Sequence, residues 1–163
     1  MGSTSVYNIP DAAAAAKAKN INGLINLQED ETVRAFLAVK DFTPDTYVVV
    51  ATRHGVIKKC QLSESDNPMA RGIIAIGLKE GDELIEAMLS SGNDLIFLGA
   101  LERMSIKFSE QGVRPMGRPA AGVTSMKFNV QGDYIVGMQV VTEDDYILSV
   151  SENGYGKRTK VSE

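Results

Sequence analysis

Basic side chains recur at a similar place after successive predicted turns, and they are the residues of this 163-residue chain best suited to bind a ligand. Lysine and arginine neutralise phosphate groups and release the counterions condensed on them, which requires no reading of bases. A row of such residues along one edge would therefore hold a nucleic-acid backbone. The members of this row are Lys58, Lys59, Lys107, Lys157 and Arg158.

Three arginines in the predicted connections between hairpins, Arg71, Arg114 and Arg118, would extend the row. The alternative is that a strand lysine is simply a solvated charge that guards a sheet edge. Repetition favours binding for the group, whereas a net charge of −4 and a pI near 5.1 argue weakly against a nucleic-acid partner. Acidic runs at other turns, including Asp82-Glu83, would allow one basic edge on an acidic protein.

Other kinds of site chemistry lack the residues they need. One histidine, His54, and one cysteine, Cys60, cannot form a Cys/His zinc site, and the histidine lies at a predicted turn rather than beside a nucleophile. No glycine-rich phosphate loop follows a predicted strand. The acidic residues 143–145 could hold a divalent ion, but a solvated turn is the simpler interpretation. We therefore expect no catalytic activity, no metal and no cofactor.

The elements that must position the basic residues are short strands. Each apolar run is rich in β-branched or aromatic residues and is bounded by Gly, Asn, Asp or Pro, which is typical of strands. Beyond residue 20 no helical periodicity is sustained. The sequence therefore predicts an all-β protein. The predicted strands cover residues 33–39, 47–52, 56–60, 73–78, 84–89, 95–99, 104–108, 123–128, 135–141 and 146–150.

The strands belong to a repeated unit. Its hairpins begin at Val48, Ile96 and Ile147, which lie 48 and 51 residues apart, and Gly81 and Gly132 of its second half are also 51 apart. About 50 residues with four short strands is the size of one propeller-type blade, and the chain holds about three of them.

The predicted turns of these hairpins differ in quality. Asn153-Gly154 is a strong type I′ turn signal, and His54-Gly55 is an acceptable variant of it. Glu102-Arg103 departs from the pattern, so that turn either has another geometry or strains Arg103 at positive φ.

The repeat resembles that of the C-terminal domain in the A subunit of DNA gyrase, and that of its topoisomerase IV counterpart, from about Val6 to the end of the chain. The motifs that carry the resemblance are specific in combination. They are Tyr47-Val-Val-Val-Ala-Thr-Arg-His-Gly-Val-Ile-Lys-Lys, Arg71-Gly-Ile-Ile-Ala-Ile with Gly81-Asp-Glu-Leu-Ile, and Val113-Arg-Pro-Met-Gly-Arg with Ala121-Gly-Val.

The resemblance implies a β-pinwheel of four-stranded antiparallel blades in which neighbouring blades exchange a strand. It would form one domain over residues 6–163, after a cloning scar or linker at residues 1–5. The implied function is the wrapping of duplex DNA around a basic outer rim in support of supercoiling. Such a domain performs no bond chemistry, because the family's nucleophilic tyrosine lies in a separate region. The implied partners are duplex DNA and the remaining parts of the gyrase A and B subunits.

Two departures from the family pattern weaken the expected DNA binding. The family's gyrase domains hold about six blades rather than about three, and the basic box of the form Q-R-R-G-G-K-G has no match. With an estimated ~4–6 phosphate contacts, binding should be weak and salt-dependent.

The alternative function is a structural or assembly module. Three blades leave two open edges, and exposed strand edges seek partners, so a homodimer of two half-propellers would complete six blades. The apolar run at residues 48–51 is too short to span a membrane, and a single cysteine fits a reducing compartment, so we expect a cytoplasmic protein.

Overall fold

The computed structural model describes residues 8–11, 17, 20, 23, 27, 31–65, 75–102 and 104–163. Within them lie nine strands and short 3₁₀ turns, which include Leu62–Ser65 and Glu110–Gly112, so the predicted all-β class is confirmed. The strands are β1 (Tyr47–Thr52), β2 (Val56–Gln61), β3 (Leu84–Ser90), β4 (Leu95–Ala100), β5 (Ser105–Ser109), β6 (Val123–Thr124), β7 (Ile135–Val141), β8 (Tyr146–Val150) and β9 (Gly156–Lys160).

All ladders between these strands are antiparallel, and they form three sheets built on one repeated hairpin. The first sheet has the order β3-β1-β2-β6, the second β5-β4-β7, and the third contains β8-β9. The hairpin register repeats, because Val49 lies opposite Lys59 just as Phe97 lies opposite Lys107. Three hairpins are compatible with the predicted count of about three blades.

Neighbouring blades exchange a strand. β6 follows the second hairpin in the chain, yet it pairs with β2 of the first sheet, with Val123 opposite Ile57. Gly122 makes this approach possible, since it adopts a φ of +85° and a Cβ there would lie 2.6 Å from the carbonyl oxygen of Ile57. The Ala-Gly-Val motif therefore marks the point at which one blade completes its neighbour.

The repeated Gly-Asp pairs hold the hairpin tips. Oδ1 of Asp82 accepts a hydrogen bond from the backbone N–H of His54 at 2.9 Å, and Oδ1 of Asp133 accepts one from Glu102 at 3.1 Å. Each preceding glycine has a positive φ, which turns the chain into this position. These pairs are thus structural parts of the blade.

The main hydrophobic core lies between the first and second sheets, where fully buried side chains of β1, β2, β4 and β7 pack together. A smaller cluster around Val48, Val50 and Leu62 covers the opposite face of the first sheet, and Leu37 and Val39 pack against it. β3 also contacts β7, so these two strands lie on the inner side of the blades. We call β2, β5 and β9, which lie away from that side, the outer strands.

Three of the predicted strands differ from the structure. Residues 33–39 are extended with alternating exposure, but they have no ladder partner among the described residues and so are not assigned as a strand. Residues 75–78 also lack a ladder there, while residues 73 and 74 lie outside the described residues. The strand predicted at 123–128 is shortened to β6, because β2 supplies hydrogen bonds to its first two residues only.

At the predicted turns, Gly55 and Gly154 adopt positive φ values of 81° and 79°. Arg103 lies outside the described residues. In the described part of the chain, no helix has the length and apolar character needed to cross a membrane.

Candidate nucleic-acid interface

Lys58 lies on an outer strand but is not exposed. Its side chain is 0% exposed, and Nζ donates hydrogen bonds to the carbonyl oxygens of Ala75, at 2.5 Å, and of Arg118. Burial lowers the pKa of Lys58. The ammonium group therefore ties the connection after β5 to the first sheet, and the prediction that it lies on an accessible basic rim is wrong.

Lys59 is also buried, at 3% exposure. Its Nζ donates to the backbone carbonyl of Glu110 at 2.8 Å and lies 3.4 Å from the Glu110 carboxylate. The same carboxylate accepts hydrogen bonds from Ser90 and from the backbone N–H of Asp94, each at 2.8 Å. This network joins the first blade to the second, so the prediction of an accessible phosphate ligand is wrong for Lys59 as well.

Lys107 occupies the position in the second hairpin that Lys59 occupies in the first. It connects the second hairpin to the third, as Lys59 connects the first blade to the second. Its Nζ donates to the carbonyl oxygen of Val161 at 2.7 Å and lies 3.2 Å from the carboxylate of Glu143. Unlike Lys59, it keeps part of its side chain in solvent. Glu143 neutralises some of the charge that it presents.

The remaining predicted residues are more accessible. Arg114, Lys157 and Arg158 are exposed, and Arg118 is half-buried beside Lys58. Successive residues of a strand point to opposite faces, so Lys157 and Arg158 project from both sides of the β8–β9 hairpin. The Arg158 guanidinium carbon lies 4.8 Å from the ring centroid of Tyr146. Arg71 lies outside the described residues.

Two further accessible basic side chains were not predicted from the sequence. Lys160 ends β9 half-exposed, and Lys127 is exposed three residues after β6. The position 51 residues before Lys127 is Ile76, so the repeat contained no signal for a basic residue there. Lys160 aligns with Gln61 and Ser109 in the other two hairpins. Neither residue is charged, so the repeat gave no signal for a basic residue at this position either.

A charged cluster at the tip of the first hairpin was also missed. The Arg53 guanidinium lies 2.8 Å from the Glu83 carboxylate and 3.7 Å from the ring centroid of Tyr134, while Arg34 pairs with Glu83 from the other side. The hydrogen bond from Arg53 is the main reason that the pKa of Glu83 is lowered, and it raises the pKa of Arg53. Glu83 and Tyr134 occupy equivalent places 51 residues apart, and this spacing was the available signal.

Metal binding finds no support in the described part of the chain, since no three His, Cys, Asp or Glu side chains gather there. An open depression lined by Asp45, Tyr47, Ser91, Gly92 and Asn93 lies beside the first sheet. The exposed basic residues are thus the main candidates for ligand binding among the described side chains.

Comparison with known proteins matches a family model described as the DNA gyrase C-terminal domain, beta-propeller, at residues 46–64, 67–91, 102–142 and 145–163. The DNA gyrase A subunit of Staphylococcus epidermidis is 42% identical over 160 residues, which cover 96% of this chain and 18% of that protein. The DNA gyrase A subunit of Mycolicibacterium smegmatis is 38% identical over 159 residues, with the same two coverages. The chain thus spans about a fifth of the length of these relatives.

Two solved structures share the fold. The C-terminal domain of DNA topoisomerase IV superposes with a TM-score of 0.85 at 28% identity, over 96% of this chain and 49% of that one. A DNA gyrase A C-terminal domain gives a TM-score of 0.78 at 32% identity, over 90% of this chain and 48% of that one. The repeated hairpins, the exchanged strand β6 and the match over most of the sequence agree, and the chain belongs to the DNA gyrase C-terminal domain family of β-propellers.

Proposed function

We propose that this chain is a non-catalytic DNA-binding and DNA-wrapping module of a type II topoisomerase, and that it contacts the duplex backbone through its outer strands. The observation that carries the proposal is β9, an outer strand whose sequence Gly-Lys-Arg-Thr-Lys holds three basic residues, none of them fully buried. Basic side chains spaced along an extended strand neutralise phosphates without reading bases. Arg114, Arg118, Lys107 and Lys127 would continue the contact on the neighbouring blades.

The proposed partners are duplex DNA and the remaining parts of the gyrase A and B subunits, which would carry out strand passage. The module's part in supercoiling would be to hold a wrapped segment of DNA. The acidic net charge of −4 and the burial of Lys58 and Lys59 predict weak, salt-sensitive binding, because few phosphate contacts remain. The buried free thiol of Cys60 fits a cytoplasmic location.

The test is a salt titration of binding to a short duplex, measured by filter retention. Lys157→Glu combined with Lys160→Glu should weaken binding at low salt by roughly tenfold and reduce the salt slope by about 0.9 for each phosphate that is no longer neutralised. The matched control is Lys40→Glu combined with Lys79→Glu, since both lysines are exposed, lie outside the outer strands, and give the same change in net charge.

The expected control result is an unchanged salt slope. Two results would contradict the proposal: no binding by the unaltered chain at low salt, or equal weakening in the two double variants. The second result would mean that net charge, and not the outer strand, governs the association.

A further inference from the structure

The third hairpin lacks a neighbour that the other two possess. β1 pairs with β2 on one side and with β3 on the other, and β4 pairs with β5 and β7 in the same way. β8 occupies the equivalent place, yet within the described residues it pairs with β9 alone. One edge of β8 is therefore open at the position where the repeat supplies an inner strand.

Residues 33–39 resemble an inner strand for which the described residues supply no hairpin partner. They lie 51 residues before β3 and 102 before β7, so the repeat makes them an inner strand. They are extended, with exposure that alternates from residue to residue, but no described strand pairs with them. Met88, the counterpart of Leu37 on β3, packs against the core between the first and second sheets. Leu37 packs in the same way against the opposite face of the first sheet. This segment is therefore an inner strand already in place beside the first blade, and the described part of the chain supplies no hairpin to pair with it.

The face of the third hairpin is apolar and uncovered. Leu148 is 68% exposed, and Tyr146, Val150 and Tyr155 are exposed with it. The first-hairpin counterpart of Leu148 is Val49, which is 0% exposed because the second blade covers it. An exposed group of large apolar side chains at a place that is buried elsewhere in the same molecule indicates a docking surface.

The third hairpin also lacks, among the described residues, a hydrogen bond that the first two hairpins make to the next blade. Lys59 donates to the carbonyl of Glu110 in the next blade, and Lys107 donates to the carbonyl of Val161. Arg158 is the third member of the series, with the same place in its hairpin register. No described carbonyl accepts a hydrogen bond from Arg158. The carbonyls of Glu110 and Val161 have an equivalent in the first blade, which is the carbonyl of Leu62. The equivalence holds because the amides of residues 62, 110 and 161 donate to the carbonyls of residues 46, 94 and 145.

We propose that two copies of this chain form a closed dimer, in which residues 33–39 of each copy pair antiparallel with β8 of the other. In the dimer, Arg158 of each copy donates to the Leu62 carbonyl of the other copy. The exchange is reciprocal, so it obeys the two-fold symmetry that most homodimers have. Within the described residues each copy has one inner strand without a ladder partner and one β8 edge without an inner strand, so two copies complement each other.

The register of the exchanged pair follows from the two ladders that are present. Tyr47 lies opposite Ser90 and Ala51 opposite Glu86, and the second sheet repeats this alignment. Transferred along the repeat, the alignment places Ala35 of one copy opposite Val150 of the other. Leu37 then lies opposite Leu148, and Val39 opposite Tyr146.

The first experiment measures mass by light scattering over a dilution series of the unaltered chain. We expect a species of twice the 17.6 kDa of one copy, and Leu148→Arg should convert it to monomer without loss of the β-sheet circular dichroism. Leu78→Arg is the matched control at another exposed leucine, and it should remain dimeric. A monomer at every concentration would overturn the proposal and would leave the edge of β8 for a further repeat of a longer chain.

The second experiment tests the register by disulfide trapping. Ala35→Cys combined with Val150→Cys should give a covalent dimer on a non-reducing gel, because directly opposed strand residues are close enough to form a disulfide. Ala38→Cys combined with Val150→Cys is the off-register control and should stay uncrosslinked, and the native Cys60 is buried and does not compete. A dimer that forms with equal cross-linking in both pairs, or in neither, would mean a different interface and would reject the exchange.

Discussion

Lys59 and Glu110 are charged residues that serve to join two blades. Both are buried, and the carboxylate of Glu110 is held by three groups from different parts of the chain: the Lys59 ammonium, the Ser90 hydroxyl and the Asp94 amide. A buried charge is tolerated only when it is paired and hydrogen-bonded, so this site depends on every partner. The same hairpin position is partly exposed in Lys107 and exposed in Arg158. Each successive blade thus covers the basic residue of the blade before it.

Loss of the Glu110 charge should destabilise the protein. Glu110→Gln leaves Lys59 without its buried counter-ion, and the free energy of unfolding should fall by about 3 kcal/mol. Glu143→Gln is the matched control, since Glu143 pairs with Lys107 in the next joint but is 57% exposed, and it should cost less than about 1 kcal/mol. Urea unfolding followed by circular dichroism measures both values, and equal losses would show that the buried joint has no special importance.

The ion pair at the tip of the first hairpin should make stability depend on acidity. The pKa of Glu83 is lowered by the hydrogen bond from Arg53, so its contribution is present above the unfolded carboxyl pKa of about 4.3 and is lost as the pH falls through the lower folded value. Glu83→Gln should therefore be less stable than the unaltered chain at neutral pH, with a difference that vanishes in acid.

Thermal unfolding at several pH values measures this dependence. Glu80→Gln is the control, because Glu80 is exposed, three residues away, and forms no ion pair with a described residue. If the Glu83 and Glu80 variants followed the same curve, the Arg53–Glu83 contact would contribute nothing to stability.

At the scale of the elements, the strand β6 is the feature on which the blade depends. It is only two residues long, and it completes the first sheet from the far side of the second hairpin. Such a short strand is held in place by its flanks. The backbone N–H of Met116 donates to the carbonyl of Lys59 at 2.8 Å before it, and that of Ser125 donates to the carbonyl of Gly55 at 2.8 Å after it.

A side chain at Gly122 should release this strand. Gly122→Ala combines a strained positive φ with a Cβ 2.6 Å from the Ile57 carbonyl oxygen, and we expect a loss of about 3 kcal/mol with faster hydrogen exchange in β2. The matched control is Gly132→Ala, where φ is +88° but no atom lies within 4 Å, so only the backbone strain of about 1 kcal/mol applies. Equal exchange rates in β2 of the two variants would mean that β6 tolerates the added atom.

At the scale of the whole molecule, the blades become less covered along the chain. The first sheet has four strands and both of its faces are packed, the second has three strands, and the third is a hairpin with an exposed apolar face in the described structure. The outer strand of this last blade, β9, carries two exposed basic residues, Lys157 and Arg158, and the half-buried Lys160. The proposed DNA contact and the proposed dimer both use this blade. In the dimer, Lys157 and Lys160 of β9 remain for phosphates, whereas Arg158 and the free edge of β8 bind the second copy.

The strands could be predicted closely where the signal was local. The limits of β1, β7 and β8 agree with the predicted residues, because β-branched runs bounded by turn residues need no distant information. Residues 33–39 carried an equally good pattern, yet a strand also needs a ladder partner, which no pattern within the segment supplies. The burial of Lys58 could not be read from its neighbours, since it depends on Arg118, sixty residues away.

The sequence by itself determined the all-β class, the 51-residue spacing, the hairpin turns and the family, since each depends on residues that are close together or repeated. Only the tertiary structure decided which basic residues are accessible. Lys59, Lys107 and Arg158 are equivalent in the repeat, but each one is covered according to whether another blade packs beside it. A repeat specifies a position within one blade, whereas exposure is a property of the contact between two blades.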